Sequence, residues 1–255
     1  MSQSQAHRPI HLELLDEAQV TELTAELLSL SNDFGLEIEQ QIAESCVRHL
    51  LYVQQVNSYI NLTRITDLHD ALVLHVLDSL ALVNSLPSAP HRFLDMGTGA
   101  GFPGLPFHIL TDSDGVLLDS VGKKINAVNA FIDALDMNGI TGVHARLEEY
   151  ARQESAQFDC VLARAVGSLP LLIEYATPFL SDNGFVLLSK ALPTDDEINA
   201  GNNVADICGL KLINTREFDL PLNLGHRTVL HYQRVGEPRI VLPRAVGLAS
   251  KSPLA

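Results

Sequence analysis

The chain has no tryptophan, three cysteines, and only 17 Lys and Arg against 31 Asp and Glu in 255 residues. Each scarcity excludes something. Cys46, Cys160 and Cys208 are odd in number and far apart, so they supply neither a zinc spacing nor a disulfide framework, and buried structural thiols are the reading they support. No apolar run approaches the roughly 20 residues of a membrane span. The opening MSQSQAHRPIHLELLDE lacks the basic stretch and apolar core of an export signal. A cytoplasmic protein with no membrane attachment is expected. Five tyrosines and nine phenylalanines leave few obvious platforms for stacking bases. The net charge of −14 also weighs against a chain that grips bare nucleic acid over its whole surface. That charge is uneven. Residues 1–60 hold nine carboxylates beside Arg8 and Arg48, whereas residues 226–255 hold Arg227, Arg234, Arg239, Arg244 and Lys251 beside Glu237 alone. The first segment reads as a solvated acidic face and the second as a basic tail.

What the chain does contain changes texture at Pro90. From about 12 to 85, apolar residues recur every three or four positions, as in VTELTAELLSL and IAESCVRHLLYVQQV. That is the period of amphipathic helices, interrupted at the turn formers of INLTRITD. Beyond Pro90, short apolar runs such as RFLDMG, GVLLDS, GVHARL, FDCVLARA and GFVLLSKA alternate with helical stretches such as KKINAVNAFIDAL and LPLLIEYATPFL. This alternation implies a mostly parallel sheet covered on both faces. KLINTREFDL and HRTVLHYQRV follow with no helix between them, so an antiparallel hairpin at one sheet edge is expected. The organisation is an α/β doubly wound sheet: residues 1–88 a helical extension packed on the core, 89–235 the core, and 236–255 the tail.

The chemistry starts at FLDMGTGAGFPG, residues 93–104. The first strand-to-helix turn of an open α/β sheet lies where such folds bind ligands, and glycines there admit positive φ and close approach of a ligand. GAGFPG matches the dinucleotide pattern G-x-G-x-x-G, with Asp119 twenty residues after Gly99, where a ribose-binding acid belongs. Asp95, two positions before the first glycine, discriminates. A pyrophosphate prefers bare N–H groups at a helix N-terminus and would be repelled by a carboxylate. A ligand carrying an ammonium and a sulfonium would be attracted. The pattern D-x-G-x-G-x-G followed by an acid closing the second strand resembles the S-adenosylmethionine site of class I methyltransferases. The loop alone leaves an NAD-dependent dehydrogenase open as the alternative.

Further stretches, in order, are NLTRITD, LHVLDSLAL, LDMGTGAGFPGLP, LLDSVGKK, ARLEEY, ARAVGSL, LSKALPTDDEI, GHRTVL and LPRAVGLASKSPL. Together they resemble the RsmG (GidB) family, enzymes that methylate guanine N7 in bacterial 16S ribosomal RNA, over roughly residues 55–255. The resemblance implies a seven-stranded, Rossmann-like class I methyltransferase sheet with an antiparallel final hairpin. It also implies S-adenosylmethionine as cofactor, and as partner small-subunit ribosomal RNA or a ribosomal particle. A monomer without metal is expected. A catalytically silent ribosome-binding factor would keep the same fold and tail.

Carried onto this chain, the resemblance assigns cofactor contacts to Asp95, Gly97, Thr98, Gly99, Gly101, Phe102, Asp119, Ser120, Leu147, Glu148 and Arg164. Arg164 would face the transferred methyl and the target base or its phosphate. Arg146, Lys190 and Arg227, at other strand ends or adjoining loops, would join it in holding substrate, because a guanidinium fork can grip phosphate or stack a base. His75 matches a family histidine but reads as a core residue, with Asp78 able to orient it. The Glu148–Glu149 carboxylates are expected in solvent, and Lys123 and Lys124 as solvated lysines at a helix start. The tail, with Arg239, Arg244 and Lys251, is expected near the substrate cleft. Guanine N7 already presents a lone pair, so no general base is needed. ARAVGSLP lacks the Asn/Asp-Pro-Pro-aromatic motif of amino-group methyltransferases. Two departures stand out: Ala191 replaces the usual glycine after Lys190, and GHRTVL replaces the commoner Glu-Arg-His order.

Overall fold

α1 (Glu17–Asp33) and α2 (Gln40–Asn57) form an antiparallel pair at the start of the fold. Asp16 caps α1 by accepting the Ala18 N–H at 2.9 Å, a side chain taking over one of the N–H groups a helix start leaves free. The third helical stretch is composite. α3 (Leu68–Ala71) runs into a π-helical turn over Leu72–Leu77, then α4 (Asp78–Leu80) and a 3₁₀ turn over Ala81–Ser85. These helices match the apolar period, whereas the π turn has no signature in it. The computed structural model describes residues 10–86, 88–164 and 167–254.

The core then alternates as expected. β1 (Arg92–Met96), α5 (Gly104–Thr111), β2 (Asp114–Asp119), α6 (Gly122–Ala134), β3 (Ile140–His144) and α7 (Leu147–Tyr150) come first. β4 (Phe158–Arg164), α8 (Leu169–Ala176), β5 (Leu180–Lys190), α9 (Asp195–Ile207), β6 (Leu210–Asp219) and β7 (His226–Arg234) complete it. The strands make one seven-stranded sheet in the order β3-β2-β1-β4-β5-β7-β6. β1 to β5 are parallel, and β7 slots antiparallel between β5 and β6. The closing hairpin therefore takes the edge, with β6 outermost. The inner strands read as unbroken apolar runs because both their faces are covered, and β6 alternates because it is an edge. The third strand is earlier than its GVHARL reading: it ends at His144, and Arg146 instead begins α7 as its N-cap.

Strand parity decides which residues meet. Phe93, Leu117, Cys160, Leu162, Leu187 and Val229 pack into one core with α1, α2, α5 and α6. Their neighbours Leu94, Leu118, Val161, Leu188 and Leu230 pack with α8 and α9 into another. Asp95, Asp119, Arg164, Ser189 and Arg227 share the parity of the first set, so they lie on the sheet face covered by the N-terminal helices.

The tail, including α10 (Leu248–Lys251), packs against α8. It does not line the cavity around Arg164 and Arg227, contrary to the expectation from its charge. The reason is intrachain pairing. Arg244 is bidentate to buried Glu174, at 2.7 and 2.6 Å, and Arg239 bonds Asp206 at 3.0 Å.

Candidate active site

The glycine loop leaves β1 with Gly97, Gly99 and Gly101 at φ of +75°, +61° and +92°, the left-handed region that a Cβ disfavours. The Gly97 and Thr98 N–H groups both donate to the Leu118 carbonyl, at 2.8 and 3.1 Å. Asp119 joins the two strand ends: Oδ2 accepts the Gly99 N–H at 3.1 Å and Oδ1 the Val121 N–H at 2.9 Å. Gly104 is a close-approach glycine. A Cβ there would collide with the Leu117 side chain and come within 2.7 Å of Asp95 Oδ2, whereas the bare N–H donates to that oxygen at 2.9 Å. Asp95 has no exposed surface. It sits beneath the loop and not on a pocket wall, and its Oδ1, like Thr98 Oγ1, lacks a well-formed hydrogen bond. Burial pushes the Asp95 carboxyl up to about 6, although the Thr98 hydroxyl, the Gly104 N–H and the charge of Arg164 pull the other way.

Beside this loop opens a cavity of about 330 Å³ lined by Gly97, Asp119, Ser120, Leu147 and Glu148, together with Lys124, Arg146 and Tyr175. Five of the eleven expected cofactor residues thus form its wall. Lys124 is not merely solvated, since its Nζ lies 3.9 Å from Asp119 Oδ2; Lys123 is exposed. Glu148 corrects the expectation of a solvated pair. It is buried, and Oε1 accepts the Gly247 N–H at 2.7 Å, so the tail braces this wall; Glu149 remains exposed.

A second cavity, about 240 Å³, is lined by Ile65, Leu74, His75, Asp78, Arg164, Ser189, Lys190, Ala191 and Arg227. Three of the four basic candidates converge here; Arg146 is on the first cavity instead. Arg164 leaves the end of β4 and directs Nη1 at the carbonyls of Leu74 and His75 and at Ser79 Oγ, each 3.2 Å away. Asp78, 1% exposed, orients arginines and not His75. Both its oxygens accept from Arg227 Nε at 3.0 Å, and Oδ2 lies 3.4 Å from Arg164 Nη1. Lys190 donates to the Gly167 carbonyl at 2.8 Å and pairs with Glu197 at 2.9 Å.

Phe102 packs against two residues of the second cavity, His75 and Arg164. Phe102 is buried between His49 and His75, with ring centroids 4.4 and 4.7 Å away. The Arg164 guanidinium lies 5.7 Å over the same ring. His49 Nε2 bonds the Ala100 carbonyl at 2.9 Å, and burial drives the His49 pKa down to about 4, so this neutral ring braces the loop from α2. Sequence reasoning missed His49, Thr63, Ser79 and Ser189. Thr63 and Ser79 lay inside the quoted motifs, whereas His49 carried no signal beyond its helix.

The residues fit a cationic donor. A positive-φ glycine turn leaves open space beside Gly97, a buried carboxylate oxygen lies unpartnered beneath it, and an acid closes the neighbouring strand. Together with the sheet order, these features define a class I methyltransferase. Solved structures share the fold: a methyltransferase from Pyrococcus furiosus (TM-score 0.52, 12% identity, 73% of this chain and 96% of that one) and the YcgJ protein from Bacillus subtilis (TM-score 0.51, 11% identity, 64% and 100%). The particular family follows from sequence. The profile of GidB, described as rRNA small subunit methyltransferase G, matches residues 41–224, and the chain belongs to this family. It is 35% identical over 232 residues to a ribosomal RNA small subunit methyltransferase G from Roseiflexus castenholzii, covering 90% of this chain and 99% of that one. It is 34% identical over 201 residues to one from Desulfitobacterium hafniense, covering 78% and 83%.

Proposed function

We propose that this chain methylates N7 of a guanine in small-subunit ribosomal RNA. Family membership supports the coarser activity, S-adenosylmethionine-dependent methylation of that RNA. Asp119 and Ser120 would hold the ribose of the donor, the Leu147–Glu148 wall its adenine, and the glycine loop its methionine part, with Asp95 supplying negative charge from beneath. When bound, S-adenosylmethionine supplies an electrophilic methyl carried on a sulfonium.

One observation carries the choice of N7: every titratable group described around the second cavity is already engaged. Asp78 accepts from two arginines. His75 Nδ1 faces an Arg164 N–H at 3.4 Å, and Lys190 is paired with Glu197. These side chains can orient a base but none is free to remove a proton, which suits a nucleophile that already presents its lone pair. An exocyclic amino group or a ribose hydroxyl would need that proton taken. Arg164 and Arg227 would fix the base and its phosphate through planar forks, in an apolar cavity where such hydrogen bonds are strengthened. The chain would act in the cytoplasm, where its RNA is.

The test is incubation with radiolabelled S-adenosylmethionine and small-subunit RNA or particles from cells lacking this protein. Borohydride reduction and aniline cleavage, which cut RNA at N7-methylguanine, then locate the label. A single cut at one guanine is expected. Label on an exocyclic amine, a ribose or a pyrimidine carbon would overturn the N7 reading. Folded Arg164→Ala protein that methylates like the wild type would remove Arg164 from it.

A further inference from the structure

The helical extension reaches into the second cavity through a chain of side chains with a defined direction. Asn57, the last residue of α2, accepts the N–H groups of Leu62 and Thr63 on Oδ1, at 2.9 and 3.0 Å, which pins the turn between the helices. The pinned Thr63 hydroxyl accepts from the Ile65 N–H at 3.1 Å and lies 2.7 Å from His75 Nε2. On its other edge His75 turns Nδ1 toward Arg164 Nη2, at 3.4 Å. A guanidinium can only donate, so Nδ1 must be the acceptor and the imidazole proton must sit on Nε2, pointing at Thr63. The face of the ring is fixed as well, stacked on Phe102 at 4.7 Å and within 10° of parallel.

We infer that Thr63 and His75 are positioning residues for methyl transfer: the Thr63 hydroxyl, accepting from Nε2, fixes the tilt of a His75 ring whose tautomer Arg164 dictates, and that ring fixes the plane of the Arg164 guanidinium. The inference rests on the reading that Arg164 meets the target base. A planar fork is useful only if its plane is set. Nη1 is set by the Leu74 and His75 carbonyls, but a second point is needed to stop rotation about the bond to Nη1, and His75 Nδ1 is that point. A role for His75 as general base does not fit, because its one lone pair is turned to a cation. Burial, reinforced by the charge of Arg164, also holds its pKa near 3. A purely structural role leaves unexplained why a buried histidine would face a cation when an apolar ring would pack as well.

The test combines kinetics with spectroscopy on the full chain. Thr63→Val keeps the shape and removes the acceptor; about a tenfold loss in kcat is expected, with the KM for RNA and the affinity for S-adenosylhomocysteine within about threefold of wild type. Thr63→Ser should recover most of the loss. In an Arg164→Lys background, which cannot be oriented as a fork, Thr63→Val should cost less than about twofold, because the two changes remove the same interaction. A full tenfold loss in that background, or no loss in kcat from Thr63→Val alone, overturns the inference. Nitrogen-15 spectra of the wild type at pH 7 should show His75 neutral and protonated on Nε2. A ring protonated on Nδ1, or an imidazolium, also overturns it. The spectrum needs no substrate, so a chain that proves to methylate something other than small-subunit RNA would sink the functional reading while the relay is still judged on its own.

Discussion

The two cavities at the carboxyl edge of the sheet are built from different materials. The cavity proposed for the donor depends on backbone: three glycines in the left-handed region, amides turned onto the Leu118 carbonyl, and Asp119 stapling one loop to the other. The cavity proposed for the target depends on side chains brought from residues 65–78, 164, 189–191 and 227, cross-linked through Asp78 and His75. Backbone geometry is local in sequence and tolerates little variation, whereas a side-chain network is distributed and can be broken one bond at a time. The first should therefore fail by losing donor binding, and the second by losing rate.

The sharpest separation comes from Arg164→Ala. We expect the transfer rate to fall by about 100-fold or more, with S-adenosylhomocysteine affinity by calorimetry within about threefold; a matching loss of donor affinity would erase the boundary between the cavities. Next comes Gly97→Val on the opposite side. Its Cβ has open space but φ is +75°, so the substitution carries about 1–2 kcal/mol of backbone strain and crowds the donor. Donor affinity is expected to drop about tenfold while RNA affinity, measured by filter binding, stays near wild type.

Asp95→Asn tests the charge beneath the loop by its pH dependence. The folded pKa is raised to about 6 from 3.8, so ionisation of Asp95 opposes folding. Its stability contribution is full below about pH 4 and is lost as pH rises through 6. The same ionisation should favour a cationic donor. S-adenosylmethionine affinity is therefore expected to rise severalfold from pH 5 to 7.5 in the wild type and to stay flat in Asp95→Asn, whose melting temperature should gain on the wild type over that range. His49 and His75 oppose this trend in stability. Their pKa values are lowered to about 4 and 3, so their contribution is complete above 6.5 and is lost as pH falls through those values. The smallest effect is expected in the tail. Arg239→Gln breaks a pair that is 66% and 69% exposed, so RNA affinity should change less than twofold and the melting temperature by a degree or two, since such pairs contribute about 1 kcal/mol or less.

Much of the first cavity was legible because its residues are neighbours in sequence. The D-x-G-x-G-x-G run and an acid at the end of the next apolar run specify both loop and partner. The target side was legible only in part. Arg164, Lys190 and Arg227 stood out as basic residues at strand ends, but nothing in their spacing says that Asp78 lies between two of them, because that depends on which sheet face the N-terminal helices cover. Counting by twos along β4 and β7 places Arg164 and Arg227 on one face. It does not say which helices lie over it. Arg146, expected to hold substrate, lines the first cavity and not the second, because its strand ends two residues earlier than its pattern suggested. The tail misled for a different reason: its charge was visible, but the buried acid that neutralises Arg244 sits 70 residues away on α8.

The π turn over Leu72–Leu77 makes the helix a calibrated spacer. Each residue advances an α-helix by about 100°, so the wider turn sets the angular offset between His75, on one side of the guanidinium, and Asp78 and Ser79 on the other. Removing a single residue there would let the helix relax to a regular register and rotate the carboxylate away from both arginines, with almost no change in overall composition or hydrophobicity. A one-residue shortening of this segment should therefore silence the chain more thoroughly than most substitutions within it.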